Sequence, residues 1–488
     1  MNREQIARLE SFLLDKLIET RLPGASFALI DQGRVVHAHG LGFRDIARRL
    51  PVTPQTLFGI GSITKVFTAL AIMQLQDRGL LHCNDPISRY VDLPTPPGSE
   101  PIRIRHFLAH TSGIPALGFS ESKMSDRWFM TGFPIADDRD LLTFMRGAAD
   151  WVHAPPGARW FYLNEGYLLL GSIIEHVSGQ TYIDYITEHI LRPLGMTQSF
   201  FRRAEVENVA DYATPYLCDR EGRLFVGSNL YSEMPAAGGL VSSLEDMARF
   251  ALLFLNESPH VNGRAVVSPT ALKLMMEPAI RQIYQPDDNE SDFIRVSDSP
   301  SLTPPTDASN GPVADDSFLP TYTAYYGHGL QIYENFYGHK VIGHGGGVMG
   351  GTSYLACIPE RQVSVVLLAN GHGYPLGQLA MYALAGLLGH DPNRLPFIVR
   401  ERLLNALCGA YESFRGTIAA EVTRRHELLE LRIHFHHEDR IVPLIPVDLD
   451  EHTPRFATLT TGRPMTVEFV KTDDQVDLVY ERYKFRKR

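Results

Sequence analysis

Apolar residues recur along the chain at helical spacing in some stretches and in alternation in others, and the order of the two periods predicts the architecture. Ile6, Leu9, Phe12, Leu13 and Leu17 share one face of an N-terminal helix. Ala25 to Ile30 and Arg34 to His39 read as two strands turned around Asp31-Gln-Gly33. Gly59 and Gly61 break the chain, and Val66, Ala69, Leu70 and Met73 then return to helical spacing until Gly79 ends the run, so Ser62 opens a buried helix. From about 83 to 233 the text is mostly helix and loop, with helices predicted over Ile102 to His110, Arg139 to Phe144, Asn164 to Val177 and Tyr182 to Leu191. Pro235 to Ser243 is a tight turn, and Ser243 caps a helix over Leu244 to Leu255 with Asp246 at its third position.

Beyond that helix the pattern changes twice. Gln285 to Tyr325 is rich in Asp, Ser, Pro and Thr and lacks sustained apolar periodicity, so it is predicted to be a mobile excursion. Lys340 to Gly343, Thr352 to Ile358 and Gln362 to Asn370 then read as strands, followed by a helix over Leu376 to Leu388. After Asp391-Pro-Asn-Arg-Leu-Pro396 and a short helix, five segments alternate as strands: Leu428 to His434, Arg440 to Pro446, Arg455 to Leu459, Met465 to Val470 and Val476 to Tyr483. The expected division is therefore a large domain over 1–395 and a small β-domain over 401–488.

Composition narrows the function. The chain has 488 residues and a formal net charge of -10, which argues against nucleic-acid binding because phosphate contacts need a concentrated basic surface. Cys83, Cys218, Cys357 and Cys408 lie far apart, without metal-ligand spacing, and fit free thiols in a reducing compartment. No apolar run is long enough to span a bilayer, and charges stand where a signal peptide needs an apolar core, so a cytoplasmic protein is expected.

Ser62 and Lys65 stand three apart on one helix face, so the Lys65 ammonium falls near the Ser62 hydroxyl. Burial of that amine lowers its pKa and makes it a base for a serine nucleophile. The plainer account makes Ser62 a helix cap and Lys65 a surface residue. Tyr162 and Asn164 follow one residue apart before a helix. Tyr162 can carry a proton between nucleophile and leaving group, and Asn164 can meet Lys65 or a substrate amide, or only cap the helix. Gly343-His344-Gly-Gly-Gly347 sits at the end of a strand, where backbone without side chains lets a carbonyl approach main-chain N–H groups, as an oxyanion site requires. Gly345, Gly347 and Gly350 satisfy a dinucleotide glycine pattern, but the following residues favour a strand over a helix, so that reading fails. His434, His436 and His437 form a histidine cluster with no second ligand set, so no metal and no cofactor is expected.

Taken in order, Ser62-x-x-Lys65, Tyr162-x-Asn164 and His344-Gly-Gly346 resemble the three motifs of the penicillin-recognising serine hydrolases, namely β-lactamases, D,D-peptidases and related esterases. Tyr-x-Asn and His-x-Gly are similar to the class C and D,D-peptidase branch and its esterase-like relatives. Ile104-Arg-His-Phe-Leu-Ala-His110-Thr-Ser-Gly113, Leu191-Arg-Pro-Leu-Gly-Met196 and Gly238-Gly-Leu-Val-Ser-Ser243 are similar to that branch too, and the likeness spans about Leu22 to Gly389. It implies an α+β fold, with an antiparallel sheet flanked by helices and a helical insertion, and a C-terminal antiparallel barrel similar to lipocalins. It further implies acyl transfer. Lys65 and Tyr162 deprotonate Ser62, the N–H groups of Ser62 and Gly347 hold the oxyanion, and Asn164, His344 and Gly346 border the substrate. His344 either orients Tyr162 or meets a substrate carboxylate. Its neutral imidazole suits a carboxylate less well than lysine, which favours an esterase or small-peptide hydrolase over a true β-lactamase or D,D-carboxypeptidase. The partner expected is a small-molecule or peptide substrate, with oligomeric state undetermined. A non-catalytic ligand-binding or scaffold protein is the contrasting reading.

Overall fold

Ala25 to Ile30 is apolar without alternation, and the computed structural model of the chain shows why. The strand Gly24–Asp31 is buried along its length up to Asp31 and lies inside a sheet rather than on its surface. It pairs antiparallel with Val363–Ala369 on one side and Arg34–Asp45 on the other. The full sheet has nine strands, in the order Ile280–Arg281, Thr323–Tyr326, Gln331–Phe336, His339–Val348, Gly351–Ile358, Val363–Ala369, Gly24–Asp31, Arg34–Asp45 and Leu50–Pro51. The structure describes residues 3–488 apart from 94–99, 120–137, 220–221, 228–233, 257–259, 262–263, 283–322, 426–427, 436–437, 460–461, 463 and 473.

Helices cover both faces of this sheet, as the fully buried strand Val363–Ala369 requires. The helix Leu376–Leu387 packs on the strands Gly351–Ile358 and Val363–Ala369. It meets the N-terminal helix Arg3–Thr20 through Phe12 stacked on Tyr382, ring centroids 3.9 Å apart. The helix Leu244–Leu255 packs against the same strands and carries Phe250, which stacks at 3.9 Å on Phe67 of the helix Thr64–Asp77. Ser243 caps Leu244–Leu255, its hydroxyl accepting the Asp246 N–H at 3.2 Å. The helix Thr64–Asp77 is buried on every side from Thr64 to Leu75, so it is a central core element and not an amphipathic one.

Several expectations change. The excursion from Gln285 to Tyr325 lies outside the described residues except for its end, which is the strand Thr323–Tyr326. The strand Gln331–Phe336 goes unannounced because Glu334, Asn335 and a register shift between Tyr333 and Phe336 break its alternation. The glycine segment does not follow a strand but continues one, since His339–Val348 runs through His344 to Gly347. Pro235–Gly238 is a short helix, and Val241–Ser243 joins Leu57–Gly59 and Ser199–Phe200 in a small sheet. The region from 83 to 233 holds the helices Ile104–Leu108, Asp138–Arg146, Asn164–Ser178 and Tyr182–Ile186, and also a hairpin of Tyr216–Cys218 with Leu224–Val226.

The chain divides into two units, Met1–His390 and Asp391–Arg488. In the second, eight consecutive antiparallel strands from Gly409–Glu412 to Tyr483–Lys487 form a closed barrel. Pairing of the first strand with the last closes it. Val476 to Tyr483 proves to be two strands meeting at Glu481, whose φ of 53° makes the turn. The strands Gly409–Glu412 and Ala419–Arg425 lie outside the alternating segments, one being four residues long and the other burying only Ala420 and Val422. Leu431, Ile433, Val442, Leu444, Phe456 and Phe469 are at most 0% exposed and fill the barrel, as a barrel of this strand number allows. Of the histidine cluster, His434 pairs with Asp439 at 2.8 Å, and His436 and His437 lie outside the described residues.

The Phe67–Phe250 stack joins the two core helices, so Phe67→Ala removes a fully buried ring and costs the larger unit about 3–5 kcal/mol. All three tryptophans, Trp128, Trp151 and Trp160, lie in that unit, so urea unfolding followed by tryptophan fluorescence reads it alone. An unchanged midpoint would contradict the packing described.

Candidate active site

The nucleophile candidate sits on a backbone that only glycine accommodates. Gly61 has a φ of +52°, and a Cβ there would come within 2.6 Å of the Gly347 nitrogen. It starts the 3₁₀ turn Gly61–Ile63, which runs directly into the helix Thr64–Asp77. Ser62 is half-buried in that turn, and Lys65 one turn on is fully buried. The Lys65 Nζ donates to Ser62 Oγ at 3.0 Å and to the Ala237 carbonyl at 2.7 Å. Desolvation pushes the Lys65 pKa well below the usual lysine range, against the opposing pull of Glu165. Its surface reading is thereby excluded, and Ser62 is no helix cap, since Ile63 holds that position and no side chain caps it.

Tyr162 reaches Ser62 because His110 holds the chain around it. His110 is buried in the left-handed region at φ 58°. Its carbonyl accepts the Phe161 N–H at 2.8 Å and its Nδ1 accepts the Leu163 N–H at 3.0 Å, so the residues on either side of Tyr162 are both pinned to it. The His110 and Tyr162 rings lie 4.1 Å apart. Burial raises the Tyr162 pKa, and its hydrogen bond with the Ser62 side chain acts the other way. The Lys65 Nζ lies 4.8 Å from the Tyr162 ring and 5.5 Å from that of Tyr167.

Asn164 is the first residue of the helix Asn164–Ser178, whose N-cap is Leu163, so it does not cap that helix. Among the described residues its side chain forms no hydrogen bond, and Lys65 turns to Ser62 and Ala237 instead.

His344 departs from its expected place bordering the substrate. It is 2% exposed, its Nδ1–H donates to the Gly345 carbonyl, and its Nε2 accepts the Tyr326 hydroxyl at 2.8 Å. With both nitrogens engaged, a substrate carboxylate finds no free donor there. Burial, followed by the nearby Lys65, pushes its pKa down to about 3. Its ring lies 6.3 Å from that of Tyr162, with Tyr326 between His110 and His344.

The glycines bring two backbones together. A Cβ on Gly346 would stand 1.9 Å from the Ile60 carbonyl, so only glycine lets this strand press on the chain leading into Ser62. Ser353 Oγ also donates to that carbonyl, at 2.7 Å. Gly347 is exposed, with open space where its side chain would be. Pairing with Gln331–Phe336 reaches only Gly343, whereas pairing with Gly351–Ile358 continues through Val348. Past Gly343 the strand therefore has one neighbouring strand, and the N–H groups on its other edge are free of the ladder.

Ser62, Lys65 and Tyr162 thus come together, Gly346 and Gly347 border them, and His344 stands behind. Sequence reasoning did not single out Ala237, His110, Tyr167 or Tyr326 as part of the site. The Tyr167 hydroxyl donates to the Leu108 carbonyl at 2.8 Å beside Lys65. His110 lay within a stretch already noted for its resemblance, whereas Tyr326 was obscured by the polar excursion before it.

Among the described residues, four buried histidines set an acid limit on stability. His106, His110, His328 and His344 all have pKa values below the ordinary 6.5, His106 at about 4 and His344 at about 3, each chiefly through desolvation. Below pH 6.5 the unfolded chain takes up protons that the native state refuses, so their contribution declines as pH falls from about 6.5 toward 3. Fluorescence-detected urea midpoints across that range should fall, with a shallower slope in His344→Gln. An identical slope in the variant would remove His344 from this account.

The family described as Beta-lactamase matches residues 7–388, and that described as the Pab87 octamerisation domain matches residues 392–486. Penicillin-binding protein 4* of Bacillus subtilis (strain 168) is 27% identical over 416 residues, covering 82% of each chain. Protein flp of Staphylococcus aureus (strain N315) is 32% identical over 260 residues, 50% of this chain and 48% of its own, so the match spans about half that protein. Among solved structures, the octameric penicillin-binding protein homologue from Pyrococcus abyssi superposes with a TM-score of 0.86 at 38% identity, covering 99% of this chain and 100% of that one. A penicillin-binding protein from Bacillus halodurans gives a TM-score of 0.56 at 25% identity, covering 79% of this chain and 99% of that one.

Proposed function

The chain belongs to the beta-lactamase family, and from that membership we propose that it is a serine hydrolase acting through an acyl-enzyme on an ester, amide or small-peptide bond. The observation that carries the reading is the 3.0 Å approach of a fully buried Lys65 amine to Ser62 Oγ. Desolvation favours the neutral amine, which is the form able to accept a proton. Burial likewise keeps Tyr162 a neutral phenol, so Lys65 is the base and Tyr162 the relay.

Ser62 Oγ attacks the substrate carbonyl carbon as its proton passes to Lys65. The new C–O bond drives the carbonyl electron pair onto oxygen, where the N–H groups of Ser62 and Gly347 receive it. Collapse breaks the bond to the leaving alcohol or amine, which takes the proton from Lys65 through Tyr162. Water, deprotonated by the same pair, then attacks the Ser62 ester, and its cleavage restores the serine. Asn164 orients the substrate with its unengaged amide.

The neutral, fully engaged His344 supports an esterase or small-peptide hydrolase over a β-lactamase or D,D-carboxypeptidase, because those substrates bring a carboxylate that needs a cation. The intact Ser62, Lys65 and Tyr162 cluster argues against a non-catalytic scaffold. The side chains filling the barrel argue against a lipocalin-like ligand carrier. Free thiols at Cys83, Cys218, Cys357 and Cys408 support a cytoplasmic setting, and no helix among the described residues is long and apolar enough to cross a membrane.

A fluorophosphonate probe should add one label per chain, located on Ser62 by peptide mass spectrometry and absent in Ser62→Ala. Tyr162→Phe should retain the fold and lose about 10²–10⁴-fold in kcat/KM on p-nitrophenyl esters or D-aminoacyl anilides, with nitrocefin the poorest substrate. Unchanged hydrolysis by Ser62→Ala would end the proposal.

The smaller unit's role in this reading is assembly, as its match to an octamerisation-domain family and the octameric Pyrococcus homologue suggest. The strand Asp439–Asp448 supports it, for Ile441, Ile445 and Val447 are 49%, 38% and 44% exposed on the outer face of the barrel. Light scattering coupled to gel filtration should give eight copies for the protein and fewer for an Ile445→Asp, Val447→Asp variant. An undiminished octamer would exclude this face from the interface.

A further inference from the structure

The strand Arg34–Asp45 carries two histidines two residues apart, so His37 and His39 project from the same face of the sheet. The N-terminal helix Arg3–Thr20 places Glu10 over them. His37 Nε2 lies 2.9 Å and His39 Nδ1 2.5 Å from the same oxygen, Glu10 Oε1. The three donor atoms lie within 4.8 Å of one another. None of these residues belongs to the Ser62 cluster, and nothing in the acyl-transfer scheme uses them.

We propose that Glu10, His37 and His39 form a zinc-binding site that ties the N-terminal helix to the sheet. Two imidazole nitrogens and one carboxylate oxygen are the donor types that zinc takes, and three protein donors leave its fourth position to water. A zinc ion held at about 2.0–2.2 Å by each donor keeps the donors about 3.3 Å apart. A small outward swing of the Glu10 carboxylate lengthens both of its contacts to that spacing, and the two imidazole nitrogens, within 4.8 Å of each other, turn toward the same point. The His37 ring is already steadied against Phe27, with centroids 5.2 Å apart. His37 and His39 side chains are 24% and 51% exposed, so an ion can enter from solvent.

The electrostatics suit a metal ion as well as they suit a hydrogen-bonded triad. Burial would raise the Glu10 pKa, but hydrogen bonds from His39 and His37 outweigh it and hold the carboxyl below its ordinary range. Glu10 is therefore a ready carboxylate. Two imidazoles directed at one oxygen must both present N–H there, and a divalent cation replaces both protons at once while keeping all three side chains converged. Because the donors come from two elements, binding restrains the helix against the strand, a restraint that sequence-local ligands would not provide.

The test uses the full chain stripped of metal with a chelator. Calorimetric titration with Zn²⁺ should give one site per chain, and Co²⁺ should give the visible absorption of a tetrahedral site. His39→Ala and Glu10→Gln should each lower Zn²⁺ affinity by about tenfold or more, and the double variant His37→Ala, His39→Ala should abolish this site. Zn²⁺ should also raise the melting temperature and the hydrogen-exchange protection of residues 3–20 in the parent but not in Glu10→Gln, whose half-exposed position tolerates the isosteric change. His434→Ala, which alters the histidine paired with Asp439 in the barrel, should bind as the parent does. Equal Zn²⁺ affinity and stoichiometry in the double variant, or no binding by the parent at about 100 µM Zn²⁺, would overturn the site.

Discussion

An amine wholly removed from water governs the arrangement of the larger unit. An isolated ammonium at such a place is costly, so the chain around Lys65 lowers the cost in two ways. Burial shifts the amine toward its neutral form, and every polar contact it keeps is an acceptor, Ser62 Oγ at 3.0 Å and the Ala237 carbonyl at 2.7 Å. The faces of Tyr162 and Tyr167 supply the remaining stabilisation for a cation when the proton is present. A helix buried on all sides from Thr64 to Leu75 follows from the same requirement, since a solvated flank would rehydrate the amine and restore its ordinary basicity.

That burial dictates how closely other backbones approach. The short helix Pro235–Gly238 presents the Ala237 carbonyl to Lys65 and the Ala236 carbonyl to Thr68, while the Leu240 N–H reaches Thr64 Oγ1 at 3.2 Å. The strand through Gly346 and Gly347 closes the other side, and the clash distances of 1.9 Å at Gly346 and 2.6 Å at Gly61 measure how little room is left. Glycine there reflects contact between main chains rather than loop flexibility. The same contact brings the Gly347 main chain beside Gly61, on the stretch where the strand keeps a single ladder partner.

What could be read from sequence divides along sequence separation. Ser62 and Lys65 are three apart, and helical geometry alone brings them together. The hairpin from Ala25 to His39 and the strands from Thr352 to Asn370 were equally legible, because their apolar runs are long and their turns explicit. Lys65 and Ala237 are 172 residues apart, and no local pattern marks a carbonyl as the amine's acceptor. His110 was visible only as part of a resembling stretch, since its work is done through the Phe161 and Leu163 N–H groups. The barrel was legible where alternation ran for several residues and unreadable at Gly409–Glu412, where closure depends on pairing with the far end of the chain. Glu10 and the pair His37 and His39 escaped notice for the same reason, as a helix and a strand each hold only part of the cluster.

The nature of His344 follows from its neighbours. Tyr326 fixes its Nε2, the Gly345 carbonyl fixes its Nδ1–H, and Lys65 and burial together keep it uncharged. A lysine in this place, as in the Lys-Thr-Gly form of the motif, would set a second ammonium beside the first, and each would have to be relieved by solvent or by a substrate anion. A neutral imidazole needs no such relief. His110, also driven neutral, extends the same condition behind Tyr162. The cluster therefore holds its proton-accepting state without a bound anion. Histidine in place of lysine thus removes a second cation from beside Lys65 while leaving the Ser62 and Lys65 pair intact.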